Sequence, residues 1–381
     1  MAKTLAAKRL VTSSGVLAES VVTVEAGRIV HISDRDALFT SQIDLDFSDS
    51  TLVPGFLDIH FHGVAGEDVM HASPEGFRKI ARTLARAGVT RFLPTSVTAS
   101  LDTTLRALER MAEFIASEAE SDGAQAIGIH IEGPFLSHAK RGMHPAEYLL
   151  APSPEVLDKL WQAASGQIRL MTIAPELPGA LETITHATAL GIRCSMGHTM
   201  ATKAEAIAGI GAGAVSATHT FNAMRPLDHR EPGILGVVLD RDELYADLIC
   251  DGYHVAPDAV RLWIRAKEPE RAILITDCLS AAGMPDGSYM AGDTRVHVQG
   301  AACRTDAGVI AGSVIALEQA VANLRTMTGT DLGVAARLAS TNPAAMLGLQ
   351  QDLITGAPAD FNVYDKAGVR QHTILRGLLI R

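Results

Sequence analysis

The 381-residue sequence is poor in cysteine, and its cysteines do not form recognisable pairs. No two of them stand in a Cys-x-x-Cys spacing, which excludes a zinc ribbon and a thioredoxin-type pair. Scattered thiols in a chain of this size favour a reducing compartment over an exported disulfide scaffold. The four cysteines are Cys194, Cys250, Cys278 and Cys303.

The sequence also lacks a basic excess, a long apolar run and a nucleotide motif. Lys and Arg number 33 against 43 Asp and Glu, and the net charge of −10 disfavours a general nucleic-acid-binding protein. No apolar stretch approaches the roughly 20 residues that span a bilayer, and no signal-peptide core follows the basic N-terminus. No P-loop or GxGxxG follows a strand-like segment. We therefore expect a cytoplasmic protein with no membrane or nucleic-acid partner and no nucleotide cofactor.

The sequence does contain a repeated alternation of apolar strands and amphipathic helices. Phe77, Ile80, Ala81 and Leu84, for example, fall on one face of a helix. Continuous apolar strands that alternate with helices predict a parallel sheet covered on its outer face, and eight such units predict a closed (β/α)8 TIM-type barrel. The predicted strands span residues 52–59, 89–93, 126–131, 168–173, 192–195, 214–217, 245–250 and 272–276.

Both ends of the chain are rich in strand-like segments. Residues 21–24 and 28–32 flank a turn at Glu25-Ala26-Gly27, and residues 359–364 and 373–376 are similar at the other end. These patterns predict a small β domain that is formed from both termini. The predicted division is 1–52 for its first part, 53–345 for the barrel and 346–381 for its second part.

Residues of the kind that bind metals follow the predicted barrel strands. Because active sites of such barrels form at the carboxyl ends of the strands, we expect these side chains to converge on one mouth. Clustered histidines and buried carboxylates without a cation would repel one another or stay unsatisfied, so the pattern predicts a metal site. The residues are His60, His62, Glu132, His198, His219 and Asp277.

The ligand types point to hydrolysis. Imidazole and carboxylate suit zinc or iron better than calcium or magnesium, and such an ion lowers the pKa of its water toward ~7. Asp277 is then placed to accept the proton of that water and pass it to a leaving group, or to serve as a ligand. Arg141, His144, Arg230 and His254 lie in the loops at the same strand ends and could bind an anion, although each alone is better explained as a solvated or salt-bridged loop residue.

Together the segments resemble the N-acetylglucosamine-6-phosphate deacetylase family of the amidohydrolase superfamily. The matching stretches run in order over nearly the whole chain. They are residues 54–63, 130–135, 197–199, 217–219, 221–224, 230–233, 251–254, 276–277 and 311–313.

This resemblance implies a (β/α)8 barrel beside a small β-sandwich, and a homodimer in which part of the phosphate site comes from the neighbouring subunit. It implies Glu132, His198 and His219 as ligands of the main metal, with His60 and His62 available for a second ion that Asp277 touches.

The resemblance also implies catalytic and substrate-binding roles. Asp277 is expected to be the general base and then the general acid, His144 to polarise the acetyl carbonyl, and four residues to bind the sugar phosphate. These four are Asn222, Ala223, Arg230 and His254.

The expected reaction is hydrolysis of the N-acetyl group of N-acetylglucosamine 6-phosphate to glucosamine 6-phosphate and acetate, in amino-sugar catabolism and cell-wall recycling. Two other hypotheses remain open: a deacetylase of another N-acetylated amino-sugar phosphate or N-acyl amino acid, and a metal-binding protein without activity. The presence of Asp277 argues against a metal-binding protein without activity, because such a protein needs no general base. Cys278 and Thr220 depart from the family pattern beside site residues, and neither removes a ligand.

Overall fold

The secondary structure was assigned in a computed structural model that describes residues 2–35, 43–117, 123–292 and 294–380. Within these ranges the strands are β1 (Lys3–Thr12), β2 (Gly15–Glu25), β3 (Arg28–Asp34), β4 (Leu45–Pro54), β5 (Phe56–Phe61), β6 (Gly63–Val64), β7 (Glu67–Asp68), β8 (Val89–Ser96), β9 (Gln125–Ala126), β10 (Ile129–Glu132), β11 (Ile168–Ile173), β12 (Arg193–Met196), β13 (Ala214–Ala217), β14 (Tyr245–Ile249), β15 (Ala272–Ile275), β16 (Gly287–Ala291), β17 (Thr294–Gln299), β18 (Ala302–Thr305), β19 (Phe361–Tyr364), β20 (Arg370–Leu375) and β21 (Leu378–Leu379).

The α-helices alternate with the strands through the middle of the chain. Over the same ranges they are α1 (Pro74–Arg86), α2 (Leu101–Ser117), α3 (Pro154–Ala163), α4 (Ala180–Ala189), α5 (Lys203–Ala212), α6 (Gly233–Asp240), α7 (Pro257–Arg271), α8 (Leu317–Thr328), α9 (Leu332–Leu338) and α10 (Thr341–Met346). None of the helices in the described parts of the chain combines the length and the apolar character that crossing a membrane requires.

Eight strands form the predicted parallel barrel. They are ordered β5-β8-β10-β11-β12-β13-β14-β15, and every neighbouring pair is parallel. The first and last strands meet at the mouth, where Asp277 N donates to His60 O at 2.9 Å and Phe61 forms a parallel bridge with Cys278. The (β/α)8 prediction is therefore confirmed.

The helices cover this sheet with the faces that the sequence pattern indicated. In α1, Phe77, Ile80, Ala81 and Leu84 are all buried, and Ser73 caps the helix by accepting a hydrogen bond from Gly76 N at 3.1 Å. These side chains belong to one core that also contains helix and strand residues from around the barrel. Burial of one helix face against a parallel sheet is the arrangement that fixes the strand ends in space.

Strands from both termini form a separate sheet in the order β21-β20-β19-β4-β1-β2-β3. The predicted turn is present, since Glu25 pairs with Arg28 and the two residues between them have positive φ, 48° at Ala26 and 76° at Gly27. A two-residue turn of this kind matches the twist of its strands. The domain limits at 52/53 and 345/346 stay predictions.

Three details differ from the predicted strands. The predicted first strand is divided at Gly55 between β4 of the terminal sheet and β5 of the barrel, where a Cβ would lie 2.4 Å from the Thr90 side chain. The predicted third strand is divided into β9 and β10 near Gly128, whose φ is 151°. The antiparallel sheet β16-β17-β18, inserted after the last barrel strand, was not predicted.

Candidate metal centre and active site

All six predicted metal ligands lie at the carboxyl ends of barrel strands. His60 belongs to β5 and His62 follows it, Glu132 ends β10, and the other three come two residues after β12, β13 and β15. Every one of the six is buried or nearly so. The barrel topology thus brings together side chains that lie more than 200 residues apart in sequence.

Three of these residues share an uncommon backbone conformation. The φ angles are 47° at His198, 32° at His219 and 48° at Asp277. Non-glycine residues rarely adopt this left-handed region, and clusters of such residues are typical of functional sites. Each of the three residues lies two positions after a strand, and its side chain faces the barrel mouth. The strained backbone conformation therefore orients the donor atoms of these side chains.

The six donors form two adjacent groups. In what we call the Glu132 group, Oε1 of Glu132 lies 3.1 Å from Nε2 of His198 and 3.1 Å from Nε2 of His219. In the His60 group, Oδ1 of Asp277 lies 3.0 Å from Nε2 of His62 and 3.5 Å from Nε2 of His60. The three ligand atoms of each group lie within 4.8 Å of one another.

Glu132 connects the two groups through both of its oxygens. Its Oε2 lies 3.3 Å from Nε2 of His62, and its Oε1, which faces the two histidines of its own group, also lies 3.4 Å from Nε2 of His60. One carboxylate therefore faces both possible ion positions. This arrangement can accommodate either a single ion or a bridged pair.

The tautomers of the histidines show that a cation fits the Glu132 group. Nδ1 of His198 donates to Lys140 O at 2.7 Å and Nδ1 of His219 donates to Asn222 O at 3.2 Å. A neutral imidazole with its proton on Nδ1 has a lone pair on Nε2. These two Nε2 atoms lie 3.0 Å apart, and both face the Glu132 carboxylate, so acceptors converge on one point. A metal ion satisfies such a set, and carbonyl-bound histidine is a common metal ligand.

The electrostatics of the group agree with this interpretation. Burial alone would raise the pKa of Glu132, but the surrounding histidines hold that pKa well below its usual range. Burial lowers the pKa of His198 to about 4. Burial also acts to lower the pKa of His219, but its hydrogen bond to the Glu132 carboxylate raises that pKa to about 9. With no ion bound, His219 therefore carries a second proton on Nε2 at neutral pH, and a metal ion would displace that proton and leave Nε2 as an acceptor.

Asp277 is an ionised carboxylate at the edge of the pocket. Burial acts to raise its pKa, but His60 and His62 hold that pKa well below the usual range. Its side chain keeps 13% of its exposure, against 3% for Glu132, so it is the more accessible of the two carboxylates. An ionised, accessible carboxylate can accept a proton at neutral pH.

His144 presents an N–H group to the same site. Its Nδ1 accepts a hydrogen bond from Thr98 N at 3.2 Å and lies 2.9 Å from Thr98 Oγ1. The proton of the neutral ring is therefore on Nε2, which lies 3.4 Å from Oε2 of Glu132. His144 can donate a hydrogen bond to a bound carbonyl oxygen. Thr98, which fixes this tautomer, was not identified from the sequence.

The mouth opens into a pocket of about 380 Å³. That volume is in the range of about 300–1,000 Å³ that small-molecule sites occupy. Asn222, Ala223 and His254 line it together with His144, as predicted from the sequence. Nδ1 of His254 lies 2.6 Å from Oδ2 of Asp251, which orients the imidazole. The pocket therefore extends from the two donor groups to His254.

Arg230 is the exception among the predicted substrate-binding residues. It is exposed and does not line the pocket, and its backbone N–H donates to Oδ1 of Asp228 at 2.8 Å. The structure of one chain therefore does not bring Arg230 to the other substrate-binding residues.

Several residues that shape the site were missed. Asp247 of β14 accepts a hydrogen bond from His219 N, and burial raises the pKa of Asp247 to about 6. Val309 and Ile310, which follow the inserted sheet, line the pocket. The alternating apolar residues of β17, Val296 and Val298, could have revealed that sheet.

Cys278 is buried beside Asp277, and its thiol lies 3.3 Å from Gly63 O. Burial raises the pKa of this thiol, so it is protonated and poorly nucleophilic at neutral pH. This environment fits a packing role for Cys278 better than it fits a role as a nucleophile.

Comparison with known proteins gives consistent results. The sequence profile described as "Amidohydrolase family" matches residues 51–379. The chain is 37% identical to N-acetylgalactosamine-6-phosphate deacetylase of Escherichia coli O157:H7 over 92% of this chain and 90% of that protein. It is 36% identical to N-acetylglucosamine-6-phosphate deacetylase of Lysinibacillus sphaericus over 97% of this chain and 95% of that protein.

Solved structures match over the whole length. A mutant N-acetyl-D-glucosamine-6-phosphate deacetylase from Mycobacterium smegmatis, in complex with N-acetyl-D-glucosamine-6-phosphate, superposes with a TM-score of 0.94 at 32% identity and covers 100% of this chain and 99% of that one. The enzyme from Thermotoga maritima has a TM-score of 0.89 at 31% identity, with coverage of 100% and 99%. With its parallel barrel, its ring of strand-end ligands and these relatives, the chain belongs to the amidohydrolase family.

Proposed function

We propose that this protein is a metal-dependent hydrolase that removes the N-acetyl group of N-acetylglucosamine 6-phosphate, giving glucosamine 6-phosphate and acetate. The observation that carries the proposal is the convergence of the Glu132 group, Asp277 and His144 on one pocket that also reaches His254. The relatives named for this reaction support it. We place the enzyme in the cytoplasm, in amino-sugar catabolism and cell-wall recycling.

The residues divide the work of the reaction. Glu132, His198 and His219 would hold a divalent metal, zinc or iron, and His60 and His62 would hold a second. The bound metal supplies Lewis-acid polarisation and an activated water at neutral pH. Asp277 accepts the water's proton and returns it to the leaving nitrogen, because its carboxylate is ionised and accessible.

His144 completes the chemistry by donating from Nε2 to the acetyl oxygen, where negative charge develops. The orientation of this donor depends on Thr98, which fixes the tautomer before substrate arrives. The amide is thus polarised by a neutral imidazole.

For the sugar phosphate we propose Asn222, Ala223 and His254 from the same chain and Arg230 from a second copy. Arg230 is exposed and lies outside the pocket of its own chain, so a homodimer would let it reach the pocket of its partner. Mixing two inactive variants, Arg230→Ala and Asp277→Asn, tests this. Shared sites would restore up to about a quarter of the activity through hybrid dimers. Absence of any recovery after subunit exchange would contradict the shared site.

The direct test of function is acetate release from N-acetylglucosamine 6-phosphate beside unphosphorylated N-acetylglucosamine, with metal content measured on the same preparation. We expect rapid release from the phosphorylated sugar only. No release from fully metallated protein would refute the proposal and direct attention to N-acyl amino acids.

A second substrate has a specific observation in its favour. The relative from Escherichia coli O157:H7, at 37% identity, is named for N-acetylgalactosamine 6-phosphate. The two sugars differ only at C4, and the pocket lining does not itself rank them. The ratio of kcat/KM for the two phosphorylated sugars decides between them, and a higher value for the galactose epimer would favour this second candidate.

A further inference from the structure

A second cavity of about 400 Å³ lies between the terminal sheet and the barrel. Its walls come from the β2–β3 turn, from the first residues of β8 and β9, and from the residues around β19 and the end of β20. We call it the junction cavity. Its lining residues that matter here are Arg28, Thr90, Arg91, Asp360 and Arg376.

The junction cavity is remote from the active site. Arg91 stands near the start of β8, whereas Thr95, whose carbonyl accepts from His62 Nδ1, stands near its end. Four residues of a strand separate them by about 13 Å along the barrel. The cavity therefore opens at the amino-terminal end of the strands, where the barrel carries none of the proposed catalytic residues.

The lining is strongly basic. Three guanidinium groups, those of Arg28, Arg91 and Arg376, line the cavity, against the single carboxylate of Asp360 among its described lining residues. Burial lowers the pKa of Arg91, and although Asp360 opposes this effect, the charge of Arg28 adds to it. Arg28 and Arg91 thus repel each other across the cavity. In a chain with a net charge of −10, such a local positive field is an attractor for anions.

Arg28 and Arg91 are each anchored by a hydrogen bond to a backbone carbonyl oxygen. Arg28 Nη1 donates to Gly356 O at 2.8 Å and Arg91 Nη1 donates to Gln350 O at 3.1 Å, and each contact uses one of the three guanidinium nitrogens. Oδ1 of Asp360 accepts from Arg376 N at 2.8 Å, and Asp360 is buried. A planar guanidinium anchored in this way offers a paired donor edge that matches a phosphate group.

We propose that the junction cavity binds a phosphate monoester of a small hydroxyl-bearing molecule. The guanidinium groups would bind the phosphate, while the Asp360 carboxylate and the Thr90 hydroxyl would pair with hydroxyl groups. The cavity volume is close to that of the active-site pocket, about 400 against about 380 Å³, so a ligand of sugar-phosphate size fits. This inference does not depend on the proposed function.

The test is calorimetric titration of the metal-loaded enzyme with glucose 6-phosphate, which has no amide to hydrolyse, and in parallel with inorganic phosphate. We expect two classes of glucose 6-phosphate site in the wild-type protein. Arg28→Gln should weaken one class about tenfold, as the loss of a charge-assisted hydrogen bond predicts. His254→Asn should weaken only the other. Arg106→Gln removes one exposed charge from α2 and is the matched control.

Three further outcomes decide the chemistry. Arg91→Lys keeps the positive charge but removes the paired N–H donors of the guanidinium. We therefore expect it also to weaken glucose 6-phosphate binding in the junction cavity. If inorganic phosphate binds there as tightly as glucose 6-phosphate, the hydroxyl contacts are wrong and the ligand is the free ion. If Arg28→Gln and Arg91→Lys both titrate like the wild type, or if the only class present disappears in His254→Asn, the junction cavity is not a phosphate site. Because Arg28 is exposed, its variant is expected to fold.

Discussion

The two donor groups at the barrel mouth are held by different means. In the Glu132 group, both imidazoles are anchored through Nδ1 to backbone carbonyl oxygens, those of Lys140 and Asn222. In the His60 group, His62 is anchored to Thr95 O at 2.9 Å, but His60 Nδ1 is buried without a hydrogen bond to the described residues.

This difference has a thermodynamic consequence. Hydrogen bonds that fix a ligating imidazole raise metal affinity about 10–100-fold. The Glu132 group is therefore the more preorganised position, and we expect it to bind an ion first and to lose it last. The His60 group, which is held partly by packing of the His60 ring against His130 at 4.6 Å, should bind a second ion more weakly.

The largest effect is expected where the two groups share a residue. Glu132→Gln removes the carboxylate that faces both positions, so metal should be lost from both and turnover should fall by about 10⁴-fold. Metal analysis after dialysis and acetate release check this together. Glu113→Gln, on the exposed face of α2, is the control. Retention of two ions in the Glu132 variant would show that the groups are independent.

The next largest effect separates chemistry from binding. Asp277→Asn should lower kcat by about 10²–10⁴-fold through loss of the proton acceptor, while the Glu132 group keeps its ion and KM changes little. Steady-state kinetics and metal content on one preparation are the measurement. Wild-type turnover in this variant would refute the role of Asp277.

The third prediction tests the comparison directly. Replacing His60 by Gln and His62 by Asn removes both imidazoles of the His60 group and leaves neutral polar side chains in their place. It should remove the weaker ion and leave the tighter one, with turnover lowered about tenfold, since the activated centre remains. Chelator titration should show two release phases in the wild type and one in the variant. Loss of both ions would mean that the groups bind cooperatively.

The sequence could predict those features of the fold and the site that residues close together in the chain determine. It could not predict features that depend on contacts between residues distant in the chain. His198 and His219 were recognised because each follows a predicted barrel strand, and the barrel topology then fixes where the ends of the strands meet. Thr98, which lies two residues after β8, and Asp247 of β14 were not, because a single threonine or aspartate has no distinctive local pattern. Their roles arise only from contacts with His144 and His219, far away in the chain.

Other failures have the same cause. The break at Gly55 depends on the approach of Thr90 from another strand, which no local periodicity reveals. Arg230 lies exposed and outside the pocket of its own chain, and this position depends on the course of its loop, which the residue type does not reveal. Residue types predicted the chemistry well, while the side chains that orient the reacting groups required the structure.

The smallest predicted effect concerns one of these orienting residues. Thr98→Val keeps the shape of the side chain and removes Oγ1, which lies 2.9 Å from Nδ1 of His144. The backbone N–H of residue 98 still donates to that nitrogen, so the tautomer should survive and only its restraint should weaken. Loss of one hydrogen bond of about 1 kcal/mol corresponds to a fall of about fivefold in kcat, with KM and metal content unchanged.

Thr183→Val is the matched control, since Thr183 is a buried threonine that donates to Gly179 O at 2.8 Å on α4, away from the pocket. If both variants lose stability equally and neither loses turnover, His144 is oriented by the backbone alone. A fall comparable to that of Asp277→Asn would instead mean that the hydroxyl fixes the tautomer and that the backbone contact is secondary.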